Sequence, residues 1–378
     1  MAFPDTQNSK AVKGLTATVW DDNFFTEYLT ENRFSESMGS NETSIIQVQE
    51  DLTKKKGDNV VFALVNRLKK AAVTGSDVMM GNEEDMYSRS HSVRIDKRRN
   101  AVRVPEIEEQ YSAIGLREAA RAVLQDWAKK DTEELIIKAM ATANGKPFVG
   151  TGAATAGELT TWLTDNSDRV LFGALRANAA SNVFATAAAT LDTTADLLTA
   201  KAVSNLKRIA ETVADPLIRP IRSTANKGRR YYILYAHPSS FNDLKADPVI
   251  TQAQREVNLQ MENERLFEGG DLLWDGVIIK QIEQANAAWA MGGIGATNAV
   301  VTANFLCGAQ AMGLAYGRRW KSTTEDFDYG DKKGVEISAI YGVNKMQFGS
   351  DAIGVDRDDT KKKKDHGIVS GFFATNSF

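Results

Sequence analysis

The stretch EIEEQYSAIGLREAARAVLQDWAKKDTEELIIKAMATA, Glu106 to Ala143, decides the fold: it runs 38 residues between Pro105 and Pro147 with no proline inside. Leu116, Ala120, Val123 and Trp127 recur at offsets of four, three and four, the spacing of one helical face. Ile107, Tyr111 and Ile114 open that stripe and Leu135, Ile136 and Met140 close it, while Glu118, Arg121, Lys129 and Lys130 fill the opposite side. Pro105 stands where a helix has no N–H partner to lose. Glu106, Glu108 and Glu109 put negative charge at the positive end of the helix dipole. Asn144-Gly145 and then Pro147 form a stop signal. The pattern predicts a helix of about 36 residues, roughly 55 Å long at ~1.5 Å per residue, more than a typical domain is wide. The alternative is a set of shorter helices with a kink at Lys129-Lys130-Asp131. A helix that long is scaffolding.

Upstream of it the chain has little to bury at home. Residues 1–53 read as an extended polar arm, with Trp20, Phe24, Phe25, Tyr28 and Leu29 at helical spacings. One amphipathic helix on an arm cannot bury its own face, so it must dock on the body or on a neighbouring subunit. Ser44 to Leu52 predicts a strand leading out of the arm. Residues 54–104 read as a two-stranded excursion: Val60 to Leu68 is an apolar, β-branched run, and Val93 to Asp96 with Ala101 to Val104 returns in period-two alternation. Between them Val73 to Ser90 is rich in Gly, acid and methionine, and a loop that long in a compact domain has a task. A two-stranded ribbon is marginal in water by itself and needs a surface to lean on.

Downstream, Phe148 to Thr194 is rich in Ala, Gly and Thr and weakly periodic, with Arg169 to Phe172 as a short strand. Thr194 to Ala214 predicts a helix capped by Thr194, with an apolar stripe of Leu198, Ala202, Leu206, Ile209 and Val213. Tyr231 to Tyr235 is a buried strand that ends at His237-Pro238, followed by a short helix capped by Ser239-Ser240 and stopped at Pro248. Leu272 to Ile282 reads as a hairpin after the Gly269-Gly270 loop. Trp320 to Phe327 and Val335 to Phe348 alternate around Asp328-Tyr329-Gly330-Asp331, a second hairpin. The tail from Gly349 carries Lys361 to Lys364 and an apolar end, Ile368 to Phe373.

Composition bounds the function. The 378 residues suffice for two or three lobes, and 46 basic against 49 acidic residues leave a net charge of −3, unsuited to tight non-specific binding of nucleic acid. The single cysteine, Cys307, excludes an internal disulfide framework and fits a reducing compartment. No apolar run approaches the ~20 residues of a membrane span, and Met1 to Gly14 lacks the signal-peptide pattern. These features describe a soluble protein made in a cytoplasm.

Chemistry-bearing motifs are sparse. His91, His237 and His366 share no metal-ligand spacing, and neither a GxSxG elbow nor a GxxxxGK[ST] phosphate loop occurs. Phe148 to Thr155 imitates a dinucleotide fingerprint through Gly150 and Gly152, but Thr155 replaces the third glycine and the unit follows a long helix; a turn is the better reading. Asp326, Asp328 and Asp331 approximate a calcium loop with Gly330 misplaced and Ile337 unable to ligate, so they read as a hairpin tip. Lys361 to Lys364 reads as a solvated run. No cofactor or metal is implied, and nothing demands an enzyme. Arm, ribbon and helix together describe a self-assembling subunit in a closed symmetric arrangement.

The segments Gly75 to Val104 and Leu116 to Ile136 resemble major capsid proteins of tailed bacteriophages, most closely the coliphage N-four type. The similarity is carried by Gly81-Asn82-Glu83-Glu84, Val93 with Ile95-Asp96, Arg99 with Ala101-Val102, Leu116-Arg117, and Leu124 with Trp127, over about residues 73–140. Tyr231 to Asp247 and Glu264 to Ile279 are similar to the strand-Pro-helix and Gly-loop segments of that fold. The resemblance implies an α+β, Hong Kong 97-like capsid fold: N-terminal arm 1–53, extended loop 54–104, peripheral domain with spine helix 105–194, axial α/β domain 195–300, a return to the peripheral domain at 301–350, and a C-terminal tail 351–378.

That resemblance implies an icosahedral head shell of hexamers and pentamers around a double-stranded DNA genome, within the virion after assembly in the host bacterial cytoplasm. Its implied partners are further copies of the chain, scaffolding, portal and decoration proteins; the DNA lies inside without specific binding, and no membrane is involved. Because the arm begins at Met1, a cleaved N-terminal scaffold segment is not expected, and lysine–asparagine cross-linking is not carried over. Expected intersubunit contacts are Glu83 and Glu84 against Arg98 and Arg99 of a neighbour, with Trp20 and Phe24 docking the arm. The alternatives are an encapsulin-like compartment shell and, on Gly150 and Gly152, an NAD-type oxidoreductase.

Overall fold

The computed structural model describes residues 33–50, 57–65, 68, 70–84, 86, 88–112, 115–222, 230–253, 267–268, 271–349 and 363–376. Trp20 and Phe24, with the rest of the predicted arm helix, lie outside the described residues. The chain divides into two compact units.

The smaller unit takes Arg98–Lys130 and Trp320–Ala339, with Met1–Glu31 outside the described residues. Here the helix expected to run unbroken from Glu106 is interrupted. A short helix, Glu106–Tyr111, closes with the Ser112 N–H on the Glu108 carbonyl, and a second, Leu116–Met140, begins after Gly115. The break precedes the long helix instead of falling at Lys129-Lys130-Asp131. Arg117 fastens the two pieces, its guanidinium donating twice to Glu109 Oε2 at 2.9 and 2.6 Å. Pro105 ends the strand Asp96–Pro105 and caps the short helix in extended conformation, so it lies just before the helix. The buried stripe is Ala120, Leu124 and Ala128, four residues apart, packed on Val335 and Ile337 with Val102, Trp127 and Trp320 at the margin. Trp127 and Trp320 meet edge to face at 5.9 Å. Ile107, Tyr111 and Val123, expected in the stripe, are exposed instead.

The larger unit is built on a mixed nine-stranded sheet. Its path runs Phe267–Glu268, Asp271–Trp274, Val277–Gln281, Arg230–Ala236, Val300–Cys307, Ile368–Thr375, Val170–Phe172, with Ile221–Arg222 and Ala290–Met291 paired at the side. Tyr232 to Ala236 lie parallel to Val277 to Gln281, and Val300 to Cys307 pair antiparallel with Thr375 to Ile368 in eight steps. The apolar end of the tail, Ile368 to Phe373, lies in the strand Ile368–Thr375; all eight of its residues are buried, so it is an inner strand. The helix Ala200–Arg208, continued by a π-turn over Ile209–Val213, lays Leu206 and Ile209 on this sheet beside Phe241 and Leu244 of helix Pro238–Ala246. Thr199, not Thr194, caps the first, accepting from the Ala202 N–H; the second is capped by His237 Nδ1, which accepts from Ser239 N–H, in place of the expected serines. Asp275-Gly276, both at positive φ, turns the expected hairpin from Asp271–Trp274 into Val277–Gln281.

The Ala-rich stretch after Pro147 gains its order from five aromatic rings. Phe148, Trp162, Phe172, Phe184 and Phe372 pack with centroids 4.9–6.5 Å apart. Thr155 caps helix Ala156–Asp165 with a full capping box: it accepts from Glu158 N–H and the Glu158 carboxylate accepts from Thr155 N–H. The last turns of the long helix belong to this unit. Trp289 Nε1 donates to the Ile137 carbonyl at 2.9 Å near the helix end, where carbonyls lack intrahelical partners. A second sheet orders Met38–Gly39, Ile46–Gln49, Met312–Phe327, Lys332–Lys345 and Asp96–Pro105. The last-named strand takes up Ala101 to Val104, which the sequence assigned to the ribbon.

Candidate assembly surface

The ribbon pairs Asn59–Val65 antiparallel with Ser88–Arg94, Val60 opposite Val93 and Phe62 opposite His91. Its return strand starts at Ser88, inside the segment read as loop. Alternation sends Val60, Phe62 and Val93 inward onto Ala315, Met346 and Phe348. The same alternation sends Val61 and Val65 outward, where they are 57% and 60% exposed. Leu68, Val78, Met79, Met80 and Met86 of the same excursion are exposed as well, with Met80 85% exposed. Exposed apolar side chains in this number are what an interaction surface uses, and methionine adapts its shape to what covers it. Ile107 and Tyr111 on the short helix, and Val123 on the long one, are further exposed apolar side chains.

The acids of the loop are committed locally. Glu83 Oε2 accepts from the Gly81 N–H at 2.6 Å, and Glu84 Oε2 accepts from the Lys70 N–H at 2.7 Å. Lys70 Nζ donates to the Glu83 carbonyl at 2.9 Å, so these residues fold the loop on itself. Arg98, half-buried, and Arg99, exposed, lie on Asp96–Pro105, the edge strand of the five-stranded sheet. The edge position leaves backbone groups of that strand open to a partner.

The densest polar group is structural. Lys345, fully buried, meets Asp365 Oδ2 at 2.6 Å and donates to the Thr142 carbonyl at 2.6 Å. Asp365 also accepts from Gln347 Nε2 at 2.6 Å and Trp162 Nε1 at 3.2 Å, and its N–H donates to Asn166 Oδ1. Alongside it Arg169 donates to the Asp365 and Asp215 carbonyls and to Asp168, which also receives Lys364 Nζ at 3.1 Å. Burial pushes the Asp168 carboxyl up, but Arg169 and its other donors outweigh this and hold it below the usual range. Lys364, expected in solvent, is thus part of an ionic lock on the strand that leads into Ile368–Thr375.

The remaining chemistry-bearing residues have plain structural places. Cys307 is buried and its thiol is pushed well up by burial. His366, half-buried, packs on Phe348 at 5.3 Å, and desolvation, then Arg169, lowers it to about 4. Gly150 and Gly152, both at positive φ, make the turn that feeds the Thr155 cap, in keeping with the turn reading of this stretch. Asp328 and Tyr329 turn the long hairpin at positive φ. Among the described residues no group of His, Cys, Asp or Glu could hold a metal ion, and no helix is long and apolar enough to cross a membrane.

Comparisons with known proteins bear on this surface. A family model described as phage capsid protein matches residues 9–370. The major capsid protein of Pseudomonas phage KPP25 is 26% identical over 347 residues, covering 88% of this chain and 90% of that one. The capsid of cyanophage Pam1 aligns with a TM-score of 0.81 and 27% identity over 97% of this chain and 98% of that one. The capsid of Ralstonia phage GP4 shares the fold at a TM-score of 0.73 and 20% identity, covering 100% and 98%. These matches support neither a compartment shell nor an oxidoreductase. The α+β fold is that of Hong Kong 97-like phage capsids, and the protein is a virion component, not an enzyme. The chain belongs to the phage capsid protein family, as a major capsid protein that forms the shell of a tailed bacteriophage.

Proposed function

We propose that subunits join into the hexamers and pentamers of an icosahedral shell through the outer face of the ribbon. The observation that carries this reading is the pair Val61 and Val65, outward-facing β-branched residues in a strand whose other face packs Val60 and Phe62 at home, with Leu64 half-buried. The exposed Ile107, Tyr111 and Val123 of a neighbouring copy offer an apolar counterpart. In this reading residues 1–53 are the arm, with Trp20 and Phe24 docking on a neighbour. Residues 54–104 are the extended loop, 105–194 with 301–350 the peripheral domain, and 195–300 the axial domain. Glu83 and Glu84 face Arg98 and Arg99 of a neighbour through whatever charge their loop contacts leave outward.

The shell encloses double-stranded DNA after assembly in the host cytoplasm, with scaffolding, portal and decoration proteins as partners and a kinship to the coliphage N-four type. The net charge of −3 supports a wall that does not grip the genome, since many phosphate contacts would stall packaging. Light scattering and negative-stain microscopy of the purified full chain, with and without co-produced scaffold, test the reading. Hollow, rounded megadalton particles are expected. A 41.4 kDa monomer under both conditions would count against it.

A further inference from the structure

We propose that Glu133 works as a proton-operated clasp on the root of the N-terminal segment: neutral, it lets Arg33 and Phe34 seat in the folded body; ionised, it loosens that seat. The inference rests on contacts within one chain and is independent of the shell contacts proposed above.

Glu133 lies in the long helix and is only 3% exposed. Its carboxylate accepts from the Arg33 N–H, yet Oε2 has no hydrogen-bond partner among the described residues. A buried acceptor left unmatched is costly, and an ionised one more so. The groups facing Glu133 are Arg33, which favours its charge, and Glu283 of the turn Glu283–Ala285, which opposes it. Arg33 is itself shared: its guanidinium lies 3.4 Å from Glu283 and 3.9 Å from Asp271. Asp271 in turn meets Lys280 at 3.5 Å, and Lys280 holds Glu36 at 2.8 Å. Beside this cluster Phe34, fully buried, packs on Tyr235 at 4.9 Å, and Ser37 Oγ lies 2.6 Å from the Tyr235 hydroxyl. Four acids and two bases thus surround the seat of Arg33 and Phe34, and the most deeply buried acid is the one whose oxygen is unmatched.

Burial, outweighing the attraction of Arg33, pushes the Glu133 carboxyl up from the usual 4.5 to about 7. The seated form therefore binds the proton more tightly than an opened form in which the carboxyl meets water. Seating is favoured most below the ordinary carboxylate range, weakens as pH rises toward 7, and levels off above it.

Hydrogen exchange of the full chain, followed for the amides of Phe34 to Ser37 and Asp131 to Ile136 between about pH 5 and about pH 8.5, reads the opening directly. After correction for intrinsic exchange, opening is expected to rise by up to tenfold per pH unit, roughly, until it levels off near pH 7. Glu133→Gln should abolish that dependence. Two milder variants at partly exposed positions guard against misfolding: Glu283→Gln, which removes a like charge, should move the plateau to lower pH, and Arg33→Gln should move it to higher pH. An unchanged pH dependence in Glu133→Gln, or a shift of the same sign in the other two, would overturn the proposal.

Discussion

Two apolar strands of the larger unit, Ile368–Thr375 and Asn59–Val65, meet opposite fates. The first sits between Val300–Cys307 and Val170–Phe172 with every residue buried. The second has one strand partner, Ser88–Arg94, and covers only its inner face. Their local compositions, IVSGFFAT and NVVFALV, do not forecast this difference. What separates them is how many neighbours the topology supplies. A strand completed at home contributes stability; a strand completed on one side only keeps surface for association.

Substitutions should divide along the same line. The largest effect is expected from Phe372→Ala, which removes a ring packed 4.9 Å from Phe172 and 5.2 Å from Phe184. A loss of about 3–5 kcal/mol is expected in denaturant unfolding of the full chain. Asp365→Ala should come close behind, at about 3–5 kcal/mol, because Lys345 would keep a buried charge without its counter-charge. A small effect at either position would mean that the C-terminal strand is less integral than its burial implies.

The sequence reveals such features unevenly. Hairpins at Asp275-Gly276 and Asp328 to Gly330 are legible because turn chemistry is local: these positions take positive φ. The strand that ends at His237-Pro238 is legible because Pro238 opens a helix at its first position. The C-terminal strand is not, because its partners lie about seventy and two hundred residues upstream. Val123 falls outside the buried row because that row is Ala120, Leu124 and Ala128, and small alanines give a weak signal in sequence. The Thr155-x-x-Glu158 capping box was a readable sign within the weakly periodic stretch, and would have placed its helix. For the assembly surface, Val60 to Val65 is apolar throughout, so the sequence marks a strand but not which face is covered; that depends on Met346 and Phe348, distant in sequence.

A pH series adds a smaller contrast within the larger unit. His366 sits near 4 when folded against an ordinary 6.5, so its contribution is complete above about pH 6.5 and fades as pH falls toward 4. The loss amounts to about 3 kcal/mol at most. His366→Gln should flatten the acid limb of the melting curve without touching the region near Glu133. Reversal of Glu83 and Glu84 to lysine should act least, at about 0–1 kcal/mol per exposed pair, and mainly through assembly at low salt. Assembly unchanged by that reversal would remove the acid–arginine contact from the account while leaving the apolar one.

The most direct measurement combines sizing and unfolding on the double variant Val61→Lys, Val65→Lys. Both positions face outward, so the folded subunit should keep its stability to within about 0.5 kcal/mol. Light scattering should nevertheless show particles replaced by subunits or small oligomers. Normal shells from a variant of unchanged stability would contradict the claim that the outer face of the ribbon joins one subunit to the next.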